Sequence, residues 1–272
     1  MRILAACGHH LAILMIIRMC LVLAVLDISP AWAQAPAYTT ANVVNASDYT
    51  AGPFAPNSVL SVFGTNLSWS TYTLMASDIA NSTLPTQLAN VEVYVDNWPA
   101  PLLYVSATQV NFLVPGNEIS GDVPVRVVRE GVTGPEVMIS LVDASPALFP
   151  LGNGYIIATH GADGSLITVA SPAQGGEIIV VYATGLGRTE PNPSPGQIPT
   201  NPATIEDYSS LSVFLDGAPL QSYLIKYAGV TPGSVGLYQI NIELPNPVDP
   251  DPQIMVTIGS QSTPTGLQLA VH

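Results

Sequence analysis

Four blocks of this chain recur in the same order further along it, and that duplication limits the possible fold more than any other feature. Residues 58–68 (SVLSVFGTNLS) match residues 177–187 (EIIVVYATGLG), and residues 91–97 (VEVYVDN) match residues 211–217 (LSVFLDG). Residues 109–115 (QVNFLVP) match residues 239–245 (QINIELP), and residues 123–142 parallel residues 252–271. The offset is about 120 for the first two blocks and about 130 for the last two, which places an insertion of roughly ten residues in the second copy, near residues 227–237. A period this long excludes a solenoid or a propeller blade. Each copy, at roughly 110–125 residues, has the size of one β-sandwich.

Within a copy the apolar residues alternate. Val91, Val93 and Val95 share one face, and Glu92 and Tyr94 take the other. The pairs Asp96-Asn97 and Asp216-Gly217 tolerate positive φ and suit tight hairpins. Pro115 and Pro245 end their strands because proline cannot donate to a ladder. With 48% apolar and only 9% charged residues, the chain is too hydrophobic for disorder, and no long amphipathic helical period is present. The expected fold is all-β: two tandem immunoglobulin-like β-sandwich domains over residues 34–146 and 147–272. An interdomain hairpin is expected at residues 155–169, with residues 160–165 as its loop.

The first 33 residues read as a cleaved signal peptide. Arg2 and Arg18 precede a run of eight uncharged residues, Met19 to Leu26, and Ala31-Trp32-Ala33 has the small-x-small pattern of a cleavage site. Cleavage is expected between Ala33 and Gln34, from a translation start at Met1 or Met15. The uninterrupted apolar run is too short to span a bilayer, so no membrane insertion is expected after cleavage, and the product is expected to be secreted, periplasmic or on the cell surface. Removing the segment also removes Cys7 and Cys20, and with them any disulfide or thiolate metal site. The remainder keeps Arg126, Arg129, Arg188 and Lys226 against 18 acidic residues, a formal charge of −14 (4 − 18). Such a chain repels a phosphate backbone, so nucleic acid is not an expected partner.

Seven ordered blocks carry a resemblance to a known family: residues 42–47 (NVVNAS), 55–59 (APNSV), 63–67 (FGTNL), 109–115 (QVNFLVP), 182–187 (YATGLG), 227–233 (YAGVTPG) and 236–241 (GLYQIN). They resemble the uncharacterised C-terminal domain family first noted in Solibacter and other acidobacteria. Its repeats are in turn similar to IPT/TIG-type immunoglobulin-like domains. The resemblance covers essentially the whole chain after residue 33 and implies the fold and an extracytoplasmic location. It implies no catalytic residues, since none are assigned to the family.

The residues themselves offer little chemistry for catalysis. His160 falls at a hairpin tip and His272 at the terminus, and a Ser-His-Asp arrangement requires a histidine held in a rigid neighbourhood. A hydrolase would need a pair such as Asp163 with Asp207 to converge. Acidic turns at Asp249 and Asp251, with Asp163 and Glu130, raise the question of Ca²⁺, but the spacing fits no established calcium loop. No metal or cofactor is expected. Gln109 with Asn111, and Gln239 with Asn241, place two amides on one strand face in each copy, and are expected to act as structural staples to the backbone of a neighbouring connection. Exposed aromatics are the functional opening. Trp69 and Tyr72 lie in the long connection 68–90, and Trp98 follows the Asp96-Asn97 turn; flat rings on loops suit glycan and peptide surfaces. The matching connection in the second copy carries Pro191, Pro193, Pro195, Pro199 and Pro202, a stiff extended segment for spacing or docking. The function expected is therefore a non-catalytic binding or structural module with a protein or glycan partner. The alternative is a carbohydrate-binding protein using Trp69, Tyr72 and Trp98, with or without Ca²⁺, and a glycan-active hydrolase ranks last.

Overall fold

The computed structural model describes residues 34–272, so the export segment expected at residues 1–33 lies outside the described residues. The chain is all-β, and the two halves carry separate hydrophobic cores. In the first sandwich one sheet runs in the order Val43–Asn45, Val59–Phe63, Gln109–Leu113, Leu102–Val105, Tyr72–Thr73. The facing sheet has Gly121–Arg129 at its centre, between Val91–Val95 and Val137–Leu141. Alternation fills the space between the sheets: Leu60, Val62, Val110 and Phe112 meet Val91, Val93, Val95, Val125 and Val127, all fully buried. Each such side chain contributes roughly 1.5–3 kcal/mol by leaving water.

The second sandwich repeats the plan. Ala158–His160, Ile178–Thr184, Tyr238–Glu243 and Ile225–Val230 form one sheet, and Leu211–Leu215 pairs with Ile254–Ile258 in the other. The duplicated strands keep identical registers. Ser61 lies opposite Asn111 as Val180 lies opposite Asn241, and Phe63 opposite Gln109 as Tyr182 opposite Gln239. Val95 faces Val125 as Leu215 faces Ile254. Even the bulge recurs, between Leu102 and Tyr104 in one copy and between Ile225 and Tyr227 in the other. Asp96-Asn97 and Asp216-Gly217 close two-residue hairpins, with φ of 51° at Asp96, and 46° and 77° at Asp216 and Gly217.

The extra residues of the second copy fall in two places. Leu102 corresponds to Ile225, an offset of 123, so three residues enter before that strand, in the short turn Ser222–Leu224. The remaining seven (130 − 123) lengthen the hairpin between Ile225–Val230 and Tyr238–Glu243. Near residues 155–169, Ala158–His160 pairs with Ile178–Thr184, while Thr159 also bridges Leu166 across the 160–165 turn.

The longer hairpin and the proline-rich connection lie against the first sandwich, and residues 35–272 form one compact unit. Leu84 N donates to Gly196 O at 2.9 Å, Ile198 N to Ser82 O at 2.8 Å, and Asn57 Nδ2 to Asn192 Oδ1 at 3.1 Å. Gly116 O accepts from Arg188 Nε and Asn192 Nδ2, both at 3.2 Å. Thr184 Oγ1 donates to Gly236 O at 2.9 Å, and the buried Tyr238 hydroxyl donates to Gly187 O. Gly236 sits at φ +70°, where a Cβ would lie 2.5 Å from Val59 Cγ2 and 3.0 Å from Leu113 Cδ1. Gly236→Ala therefore combines a left-handed backbone cost with overpacking, together about 2–4 kcal/mol. Calorimetry should show Tm lowered by roughly 5–15 °C, while an exposed turn change such as Gly164→Asn should cost no more than about 1 kcal/mol, a Tm shift of roughly 2–4 °C at most.

Candidate functional site

The aromatic residue with the most defined surroundings is Trp69. Asn66, at φ 59°, turns the chain out of the sheet, and Leu67 N donates to Ala107 O at 3.1 Å. Ser68 Oγ donates to Ser70 O at 2.8 Å, which fixes the backbone on either side of Trp69. On the facing sheet, Glu130 (φ 49°) and Gly131 (φ 78°) make a tight hairpin between Arg129 and Val132. Arg129 is only 1% exposed, and its guanidinium lies 3.8 Å from the Trp69 ring centroid. Arg129 NH1 donates to Asn66 O at 2.5 Å, and Trp69 Nε1 donates to Glu130 Oε2 at 3.0 Å. The indole is thus held by a cation beneath one face and a carboxylate at its N–H, yet remains 60% exposed. Stacking of this kind is worth about 0.5–2 kcal/mol.

The second copy shows that the fold does not require this cluster. By the shared registers, Arg129 corresponds to Ile258 and Glu130 to Gly259, and Trp69 corresponds to Arg188. An isoleucine fills the place of the buried arginine at 3% exposure. A buried cation is weak support for stability compared with an apolar residue of similar size. Arg129→Ile should therefore leave stability within about 1 kcal/mol of the parent or raise it, while freeing the indole. Tryptophan fluorescence anisotropy should fall in that variant relative to the parent.

The other aromatics do not join Trp69 in one surface. Trp98 pairs opposite Val95, whereas Arg129 pairs opposite Val91, which separates the two rings by the length of a strand, about 13 Å along its axis. Tyr72 packs on the first core, and its hydroxyl donates to both oxygens of Asp78 at 3.0 and 3.2 Å. Burial, then the Asp78 carboxylate, push its hydroxyl pKa up. The Gln-x-Asn pairs bond each other rather than the backbone of a long connection: Gln109 Nε2 to Asn111 Oδ1 at 2.9 Å, and Gln239 Nε2 to Asn241 Oδ1 at 3.0 Å. Ser61 Oγ also donates to Asn111 Oδ1 at 2.9 Å.

The acidic turns stand apart. Asp163 Oδ1 accepts from Ser165, Asp251 Oδ1 from Val271 N, and Glu130 from Trp69. Among the described residues no three side chains of metal-binding type converge. Asp207 lines a crevice with Asp143, Arg188 and Glu206, and Asp163 is not part of it.

His160 is held more firmly than its hairpin position suggests. Its Nδ1 lies 2.5 Å from Glu177 Oε1, and its Nε2 lies 3.2 Å from Ser171 O and 3.3 Å from Ser171 Oγ. The order Ser-His-Glu resembles a nucleophilic triad. However, both ring nitrogens face acceptors, a carboxylate and a carbonyl, which favours the doubly protonated ring over one able to take a proton from Ser171. Ser171 N, the amide nearest the hydroxyl, donates to Thr168 O and Oγ1 at 3.0 and 3.1 Å, so it is not open to an oxyanion. The signal missed in the sequence is Glu177, seventeen residues away and adjacent only through strand pairing. The Glu177 hydrogen bond, opposed by burial and aided by the charges of Glu177 and Asp163, raises the His160 pKa above 6.5. A raised folded value means that the stabilisation is full below about 6.5 and is lost as pH rises through the folded pKa. NMR titration of the His160 ring should give a midpoint above 6.5, falling towards it in Glu177→Gln.

Residues 43–139 match the IPT/TIG domain family, so the first sandwich contains an IPT/TIG domain. The chain as a whole is a tandem of immunoglobulin-like sandwiches. Similar solved structures include a surface glycan-binding protein of the Bacteroides ovatus mixed-linkage glucan utilization locus, at 10% identity and TM-score 0.32, covering 80% of this chain and 44% of that one. A surface glycan-binding protein of Prevotella bryantii matches at 13% identity and TM-score 0.27, over 87% of this chain and 42% of that one. The plexin A4 extracellular region matches at 14% identity and TM-score 0.26, over 81% of this chain and 17% of that one. The chain thus spans less than half the length of these three proteins, and no ligand is transferred from them. A comparison with curated proteins finds no match. Among the described residues, no helix is long and apolar enough to cross a membrane.

Proposed function

We propose that this protein is a non-catalytic extracytoplasmic binding module whose ligand platform is Trp69 on the first sandwich, and that the ligand is a glycan. The observation that carries this reading is the Trp69–Arg129–Glu130 cluster. At its place the second copy has an isoleucine and a glycine, so the cluster answers no demand of the fold. It fixes an exposed, flat apolar ring in advance of binding, which removes the ordering cost a ligand would otherwise meet. Flat rings stack on the C–H faces of sugars, with hydrogen-bonding groups at the edge setting orientation. Trp98 and Tyr72 do not belong to this platform: one lies at the far end of the sheet and the other is bonded internally. The expected signal segment and the resemblance to secreted acidobacterial proteins support the extracytoplasmic location.

The test is a glycan array followed by calorimetry on the best binder. Trp69→Ala should weaken binding at least tenfold, and Arg129→Ile should weaken it by a smaller factor through loss of ring orientation. Trp98→Ala should leave affinity unchanged. Array-wide absence of binding, or affinity indifferent to Trp69→Ala, rejects the glycan platform.

A further inference from the structure

The duplication shows, for one open surface of this protein, what covers its counterpart. Asn57 N donates to Val114 O, and Gly176 N donates to Leu244 O, each at 3.0 Å, with left-handed φ of 63° and 81°. Ala100 N donates to Val93 O and Leu220 N to Val213 O, each at 2.8 Å. Asn57, Pro101, Leu113 and Gly116 at the end of the first sandwich therefore correspond to Gly176, Gln221, Glu243 and Asn246 at the end of the second. The first set is covered by the chain itself. Asn192 bonds Asn57 and Gly116, Gly196 packs so closely on Pro101 that a Cβ there would lie 2.8 Å from its Cγ, and Gly236 lies against Leu113.

The second set lines an open depression of about 390 Å³. It adjoins another of about 320 Å³, and the two share Pro219, Leu220 and Pro245. The three-residue insertion found only in this copy places Tyr223, 71% exposed, in its wall. We propose that this groove docks an extended proline-rich segment of a partner protein, in the way residues 192–199 dock on the first sandwich. Prolines and an exposed tyrosine are the surfaces on which polyproline segments pack, and such segments lose little entropy on binding. Glu243, paired with Lys226 at 2.7 Å, and the lining acids Asp216 and Asp249 favour an uncharged or basic segment.

The probe is a synthetic peptide of residues 191–202 (PNPSPGQIPTNP), capped at both ends and free of charged side chains, titrated into the intact isotope-labelled protein. The site on the first sandwich is held by the tethered segment at an effective concentration in the millimolar range, so added peptide reports on the free groove. Saturable binding is expected, with NMR shifts at Leu220, Tyr223 and Asn246. Affinity should fall at least tenfold in Tyr223→Ala, and likewise for a peptide whose five prolines are replaced by alanine. Tyr223 is exposed, and an unchanged Tm verifies that the variant folds. Trp69→Ala should not alter this binding, which separates it from the glycan platform. Absence of saturation at millimolar peptide, equal binding of the alanine peptide, or shifts confined to the first sandwich overturns the proposal. Concentration-dependent self-association that Tyr223→Ala abolishes, with no response to peptide, replaces the segment with a second copy of the chain.

Discussion

Antiparallel pairing of Val59–Phe63 with Gln109–Leu113, and of Ile178–Thr184 with Tyr238–Glu243, sets the register on which both sandwiches depend. Side chains alternate with a period of two, so a slip of one residue would turn Leu60, Val62, Val110 and Phe112 out of the core. The same slip in the second copy would expel Ile179, Val181, Ile240 and Ile242. Keeping this register also fixes where the strand ends fall. Those ends carry the main differences between the copies: the Trp69 cluster, the proline-rich connection, the three-residue insertion at Ser222–Leu224 and the lengthened hairpin.

Comparing equivalent positions separates scaffold from specialisation. The Gln-x-Asn pair, the bulge on the strand before it and the two-residue hairpins recur in both copies, so they belong to the fold. Trp69, Arg129 and Glu130 become Arg188, Ile258 and Gly259, so they do not. The exchange at Trp69 and Arg188 is instructive because both sit at the same end of their sandwich. Arg188 is used to hold the first sandwich, through Gly116 and Glu118, while Trp69 faces solvent.

Low cation content shapes the electrostatics. Each Lys or Arg in residues 34–272 is engaged within the chain: Arg126 over the Tyr94 ring and with Glu136, Arg129 under Trp69, Arg188 at the junction, and Lys226 with Glu243. The remaining carboxylates are mostly in turns, where several cap backbone N–H groups. An acidic shell of this kind favours neutral ligands such as sugars and uncharged peptides, and disfavours polyanions.

The sequence by itself determined the all-β class, the duplication, the hairpins at Asp96-Asn97 and Asp216-Gly217, and the presence of extra residues in the second copy. These are local or periodic properties, written in residue spacing. Its reading of the connections was less complete. The five prolines announced a stiff segment, but not that the segment lies on Pro101 and Asn57, because those contacts join residues 95 (196 − 101) and 135 positions apart. Shorter separations, 60 positions (129 − 69) for Arg129 beneath Trp69 and 17 for Glu177 beside His160, were equally hidden because strand pairing brings them together. It also left Trp69, Tyr72 and Trp98 looking like one group, although strand pairing sends them to different places. Tertiary structure alone decided which aromatic is held in place while exposed and which end of the second sandwich is open. Partners at such separations are chosen by strand pairing and packing, which no local pattern records.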